Sequence, residues 1–590
     1  MLHRTSWTVA AVALALALGC GSAAAATVVD AYPSPGTQVA SPHTQLSFRG
    51  VAPGALGAIS VSGSVSGAHS GRIVAHSDGR GASFVPDRPF AQGETVTVRT
   101  SLPVHRGHLG AYTIRIATQG PPIGPTRSPP LLLHGPGLQY FHSRHDLHPA
   151  TVTASAAHGP TAPGDLFVGL FSAPFQLGPG APGPAIFDTN GRLIWFHPVP
   201  DGQDALDVRV QQYQGKPVLT WWQGFVNAGV GVGTGRIFDT SYRQIATVSA
   251  GDGYGADPHE LKLTPQGTAL VDVENPVVWD LSGLHGAKRA VVLDSVVQEI
   301  DIETGSVLYE WHSLDHVAVG DSFNPVPTVD GHSDDYFHIN SVDETPDGNI
   351  IVSARNTWTI YKLARTDGTV LWRLGGKHSS FRMLPGTTFA WQHDARVQPD
   401  GTITLFDDGA APPVHKSSRG IGIGLDTRAH RAFLRRDYRP APPTLSNSQG
   451  NMQALPGGDM LVGWGSSPYI TEYSQHGTLL RLYTYARGAE SYRAYHFPWA
   501  PHPLTKPSVA ASTASGRMQV YMSWNGADDV ASWQVLAGAS ASALKPVATV
   551  RDGGFETSAS IAGAAFVAVQ ARDAHGTVLS TSATIAPTGS

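Results

Sequence analysis

Residues 337–356 read FHINSVDETPDGNIIVSARN. Apolar alternation over 339–342 predicts a strand, Pro346-Asp347-Gly348 a turn, and 349–353 a returning strand. A hairpin needs only one buried face. This one also opens on an imidazole and an amide, His338 and Asn340, and closes on a guanidinium, Arg355. The module recurs as DPHELKLTPQGTALVDV, WQHDARVQPDGTITLFDD and QGNMQALPGGDMLVGW. A second hairpin alternates with it: AIFDTNGRLIWFHPV, EIDIETGSVLYEW, IYKLARTDGTVLWRL and ITEYSQHGTLLRLYT. Each turn carries a Gly, which tolerates the positive φ that tight hairpins demand.

Two hairpins make one period, or four strands. His338 and His393 are 55 residues apart, and His393 and Asn451 are 58 apart. His259 to His338 spans 79, so an insertion lies between them, around HVAVGDSFNPVPTVDGHSDDY. Four-stranded repeats of about 40–50 residues are the mark of a β-propeller. Residues 140–500 then hold about six blades at the upper end of that repeat length, with DALDVRVQQYQGKPVLTWWQG a weaker first copy. A β-solenoid has shorter repeats and lacks the alternating Gly turns. The fold class is therefore all-β: a six-bladed propeller between two sandwiches. Residues 27–120 (AISVSGSVSG, ETVTVRTSLPV) read as an immunoglobulin-like sandwich, 121–139 as a Pro-rich linker, and 506–590 as a fibronectin III-like sandwich.

Composition agrees. Only 14% of the 590 residues are charged, while Gly (66), Pro (44) and Trp (13) are plentiful, as suits many short strands. A net charge of −5 offers no basic stripe and argues against a nucleic-acid partner. Residues 1–26 pair a basic start with a short apolar run and end on Ala24-Ala25-Ala26, the pattern of a secretory signal peptide rather than a membrane span. The expected location is extracellular. Cys20, the only cysteine, offers a lipid anchor and cell-surface association as the alternative to free secretion. Cleavage near Ala26 leaves no thiol, which excludes cysteine nucleophiles and thiolate-held metals.

The innermost strand of each blade lines the central channel. If the strand opening each His hairpin is innermost, His259, His338, His393 and Asn451 occupy one repeat position and meet at one mouth. A lone His at a strand start is more often a structural hydrogen-bonder. Three at one repeat position make coincidence the weaker account. Asn340 lies two residues from His338, on the same strand face. Three imidazoles, an amide and a guanidinium suit a small oxyanion: arginine is a permanent fork of donors, and neutral histidine serves as nucleophile, base or donor. A nearby Arg355 should lower the histidine pKa values by like charge and keep a ring neutral near pH 7. Metal is the rival chemistry, since three His can bind Zn or Cu with Asp257, Glu260 or Asp394. An arginine inside a cationic site disfavours it, so no metal or cofactor is expected. Trp391 and Tyr254 are candidate walls for an aromatic substrate, with His197 as a further neighbour.

The stretches FHINSVDETPDGNIIVSARN, WQHDARVQPDGTITLFDDG and SNSQGNMQALPGGDMLVGWGSSPYITEYS resemble the arylsulfotransferase family, the propeller enzymes that do not use PAPS, in its shorter secreted branch. The resemblance covers roughly residues 140–500. It implies ping-pong transfer of a sulfuryl group from a phenolic sulfate ester to an acceptor phenol through a sulfohistidine. The nucleophile of the family's His-x-Asn motif falls on His338 and its amide on Asn340. The arginine falls on Arg355, and the two further histidines on His259 and His393, either of which would move the phenol's proton. Asn451 stands where another histidine is expected. A metal-dependent hydrolase or lyase, and a non-catalytic extracellular binding module, are the alternatives on the same fold.

Overall fold

The computed structural model describes residues 28–108, 110–125, 135–172 and 180–589. The expected signal peptide, Cys20 and part of the expected linker lie outside them. The described chain is all-β apart from short 3-10 turns, and no helix is long and apolar enough to cross a membrane.

Between residues 152 and 497 the described strands build six sheets whose central four strands are antiparallel. The hairpin that opened the sequence reading forms the inner half of the fourth. Its strands are Ile339–Glu344, Ile350–Ala354, Thr359–Leu363 and Val370–Gly375. The intervening turn carries Gly348 at φ +78°, a conformation glycine adopts without steric penalty. The second sheet begins at Asp204–Tyr213, the third at Leu261–Leu263, the fifth at His393–Val397 and the sixth at Asn451–Ala454. The insertion runs over residues 313–337 as two 3-10 turns and a short strand, Ser333–Asp334, beside Ala290–Asp301. Together with the two long strands Thr268–Trp279 and Ala290–Asp301, it accounts for the wide His259–His338 spacing.

The first sheet is assembled from both ends of this region. Its inner strand, Ala494–Phe497, pairs with Asp165–Ser172, followed by Gly183–Phe187 and Leu193–Phe196. The early strand Val152–Ala154 in turn adds to the outer edge of the sixth sheet, against Leu479–Tyr485. The result is a closed, propeller-like ring.

Inner strands present a backbone edge that no strand covers, and buried backbone groups need partners. Side chains from neighbouring sheets supply them. Gln211 accepts from Leu263 N and donates to Leu261 O. Ser341 Oγ accepts from Ala395 N, and Asn451 and Gln453 pair both ways with the backbones of Ala494 and His496. The polar residues of these strands are thus the joints of the ring.

Residues 30–115 form two four-stranded sheets that share a core of Phe48, Ala82, Val96, Val98 and Ile114. Residues 508–589 form another such pair around Met518, Val520, Trp533 and Val569. Both dock on the ring. Ser77 bonds Asp301 through N and Oγ, Asn525 pairs both ways with the Phe196 backbone, and Glu556 takes the Ser143 amide at 2.6 Å.

Candidate functional site

Three inner-edge histidines converge. The His259 and His338 rings lie 4.7 Å apart, edge to face, and His393 joins them across Tyr492, whose ring is 5.3 Å from His259 and 6.5 Å from His393. Tyr492 forms the floor, its hydroxyl donating to the Asn340 carbonyl at 3.1 Å. It follows the last repeat, so the repeat pattern gave no sign of it.

Each imidazole is held at Nδ1 by a carboxylate. His259 meets Asp257, His338 meets Asp335 at 2.5 Å, and His393 meets Asp408 at 2.7 Å. Asp335 ends the insertion, which explains why a long loop precedes this strand. His338 itself sits at φ +59°, a region that costs a non-glycine residue energy and clusters at functional sites. With Nδ1 committed, Nε2 is the working nitrogen. Among the described residues nothing engages Nε2 of His338 or His259, whereas His393 Nε2 accepts the Gln449 amide at 3.2 Å.

Arg355 follows the second strand of the hairpin, its amide bonded to the His338 carbonyl at 2.9 Å. Its guanidinium lies 4.9 Å over the Trp391 ring and donates to Asn356 and to the Asn447 carbonyl. Electrostatics follows from this packing. Burial, then Arg355 and the other two imidazoles, holds the His393 ring well below its ordinary pKa. Burial also lowers His259, against the pull of Asp257. Burial raises the Asp408 carboxyl well above the usual range, with Arg355 opposing. Asp335 is desolvated too, yet His338 and Arg355 hold it below that range. The cup therefore combines two imidazoles held neutral, His259 and His393, with one fixed positive charge, a setting for an oxyanion.

Other expected members stand elsewhere. Asn340 falls in a β-bulge between Ile339 and Ser341, which breaks the alternation that would have kept it beside His338. Its Nδ2 donates to the Gln392 carbonyl at 2.6 Å. Asn451 is fully buried and stitches the sixth sheet to the first. Tyr254 is half-buried, with its hydroxyl inside, towards Glu310, Asp294 and Asp252. His197 stacks on Trp195 in the first sheet. Trp391 supports Arg355 from below and donates Nε1 to the Pro412 carbonyl.

Beneath Tyr492 the channel is filled by ions. Arg493 reaches Asp207 at 2.9 Å and Asp394 at 3.3 Å, Arg396 reaches Glu260 at 2.7 Å and Asp394 at 2.8 Å, and Arg209 reaches Asp207 at 3.1 Å and Glu260 at 2.5 Å. Three arginines balance three carboxylates, so the site opens on one side only. Behind His259, ligand-capable atoms of Asp257, His259 and Asp272 lie within 4.8 Å of one another, all buried. A cleft of about 290 Å³ lies apart from the histidines, between the first sheet and the C-terminal pair, lined by Asp165, Asp188, Trp524, Asp528 and Phe555. Its carboxylates suit no anion.

Residues 209–485 match the family described as arylsulfotransferase (ASST). Over this segment, just under half of the chain, the sequence matches the arylsulfotransferase family. The match takes in all three histidines, Arg355 and Asn451, and supports the sulfotransferase class of enzymes. Tyr492, Arg493 and the closing strand lie beyond it. No curated relative matches the chain. Solved structures resemble it distantly. A protein of unknown function from Bacteroides caccae is 13% identical, with 56% of this chain and 98% of that one covered at a TM-score of 0.34. A virginiamycin B lyase from Staphylococcus aureus with quinupristin is 10% identical, covering 55% and 78% at 0.27. A streptogramin B lyase is 12% identical, covering 63% and 94% at 0.29.

Proposed function

We propose that the protein is a PAPS-independent aryl sulfotransferase that moves a sulfuryl group from a phenolic sulfate ester to a phenol through a sulfohistidine. The observation that carries the reading is the convergence of three carboxylate-backed imidazoles and one arginine on a single cup. His338 Nε2 attacks sulfur, the sulfur–aryloxygen bond breaks, and the phenolate departs. An acceptor phenol then loses its proton to His259 or His393, its oxygen attacks sulfur, and the nitrogen–sulfur bond breaks. Arg355 stabilises the sulfuryl oxygens as charge shifts among them. Asp335 keeps the His338 proton on Nδ1 and so leaves Nε2 as the nucleophile.

A second reading exchanges two histidines. His393 is the ring most firmly held neutral, and a turn of the Gln449 amide would free its Nε2. Mixing the protein with p-nitrophenyl sulfate alone and weighing it intact tests both. One added sulfuryl group on the peptide carrying His338 supports the first assignment, and the same group on the His393 peptide transfers the role. Release of p-nitrophenol without a covalent adduct argues for hydrolysis, and binding without release argues for a non-catalytic module.

In this reading the six sheets are the blades of a six-bladed propeller over residues 140–500. The flanking pairs are an immunoglobulin-like sandwich (27–120) and a fibronectin III-like sandwich (506–590). Residues 1–26 direct secretion, with Cys20 the point of attachment if the protein is lipid-anchored to the cell surface.

A further inference from the structure

Behind His259 lie two buried carboxylates, Asp257 and Asp272, to which the transfer chemistry assigns no step. Asp257 and Asp272 are fully buried and His259 nearly so. Asp257 Oδ2 accepts the Gly231 amide at 2.8 Å, Asp257 Oδ1 faces His259 Nδ1, and Asp272 Oδ1 accepts the Glu260 amide at 2.9 Å. The remaining oxygen, Asp272 Oδ2, is buried with no partner among the described residues. A buried carboxylate oxygen left unpaired is costly. Two ligands at about 2.0–2.2 Å from one cation can stand no more than roughly 4.4 Å apart. Ligand-capable atoms of the three residues lie within 4.8 Å of one another, and Asp257 Oδ1 and His259 Nδ1 already share a proton, so an entering cation takes that proton's place and parts the pair.

We propose that Asp257, Asp272 and His259 Nδ1 bind a divalent first-row cation such as Zn²⁺ or Mn²⁺. One imidazole and two carboxylates form the mixed nitrogen–oxygen set these ions accept, and three protein ligands leave a coordination position open. The guanidinium of the cup is committed elsewhere, to Asn356 and the Asn447 carbonyl. Binding displaces the proton from Nδ1. His259 then carries its proton on Nε2, facing the His338 ring, and becomes a fixed donor to a sulfuryl oxygen. This consequence, though not the site itself, rests on the proposed transfer, and it assigns the acceptor's proton to His393.

The test uses the full chain, dialysed against a chelator and titrated with Zn²⁺ or Mn²⁺ by calorimetry. One equivalent should bind to the wild type, and Asp272→Asn should weaken binding at least about 10–100-fold, the loss seen when even outer-shell partners are removed. Melting temperature should rise with metal in the wild type and stay fixed in the variant. Equal binding by both proteins, or no stoichiometric binding of either ion, overturns the proposal. If Asp272→Asn does not fold, His259→Gln replaces it, with the same outcomes. Covalent labelling by p-nitrophenyl sulfate, measured on chelated protein, separates the two ideas. Labelling without metal binding leaves the transferase standing and removes the cation; metal binding without labelling does the reverse.

Discussion

Arg355 and Asp335 act on the histidines from opposite sides, one through charge and one through tautomer. Lysine at 355 keeps the charge but loses the planar fork, so Arg355→Lys should cut kcat by about 10²–10³-fold, the scale of a lost oxyanion donor. A rate within threefold of wild type would remove Arg355 from the chemistry. Arg355→Gln deletes a like charge beside His393, and the His393 pKa must then rise towards its ordinary value. The acid limb of the residual rate, or the ring's own NMR titration, should move to higher pH. Asp335→Asn allows the wrong tautomer of His338 and should lower kcat by about 10²–10⁴-fold with KM little changed. Sequence spacing pointed to the imidazoles and the guanidinium. It offered Asp257 for His259 but gave no sign of the other two carboxylates, because Asp335 closes an insertion of irregular length and Asp408 follows a strand on the far side of its hairpin. Nothing local marks which acid will face which ring.

Elements were legible where turn chemistry repeats. The Gly of each hairpin and the alternation beside it led directly to the inner and outer hairpins, within a residue or two at the strand ends. The bulge at Asn340 is invisible in a binary pattern. The signal at Asn451, a polar residue at the cup's repeat position, is shared by a residue that joins two sheets. That joint gives a prediction. Asn451→Ala strips partners from both backbone groups of Ala494. Two lost hydrogen bonds in a buried seam should cost about 2–4 kcal/mol, seen as a lower urea midpoint for the ring. An unchanged midpoint would mean that Gln453 and the Ala494–Phe497 pairing hold the seam alone.

Across the whole molecule, the balanced ion cluster under Tyr492 decides how the channel is used. Arg493 is fully buried and contacts Asp207, Asp394 and the Asn340 carbonyl. Replacing it by Met leaves two arginines against three buried carboxylates. The expected loss is about 3–5 kcal/mol, confined to the ring's calorimetric transition, with the transitions of the two flanking sheet pairs unmoved. A variant as stable as wild type would show that the carboxylates take up protons at no cost.

Residues 494–497 supply the innermost strand of a sheet whose other three strands were made some three hundred residues earlier. A nascent chain emerging from the ribosome therefore carries the ring's first sheet with one edge bare until almost the whole length has been delivered. The N-terminal pair, complete by residue 116, has every contact it needs to fold long before. For the ring, the last few residues act as a latch, and quality control that samples unfinished chains will find that open edge on every molecule interrupted before Ala494.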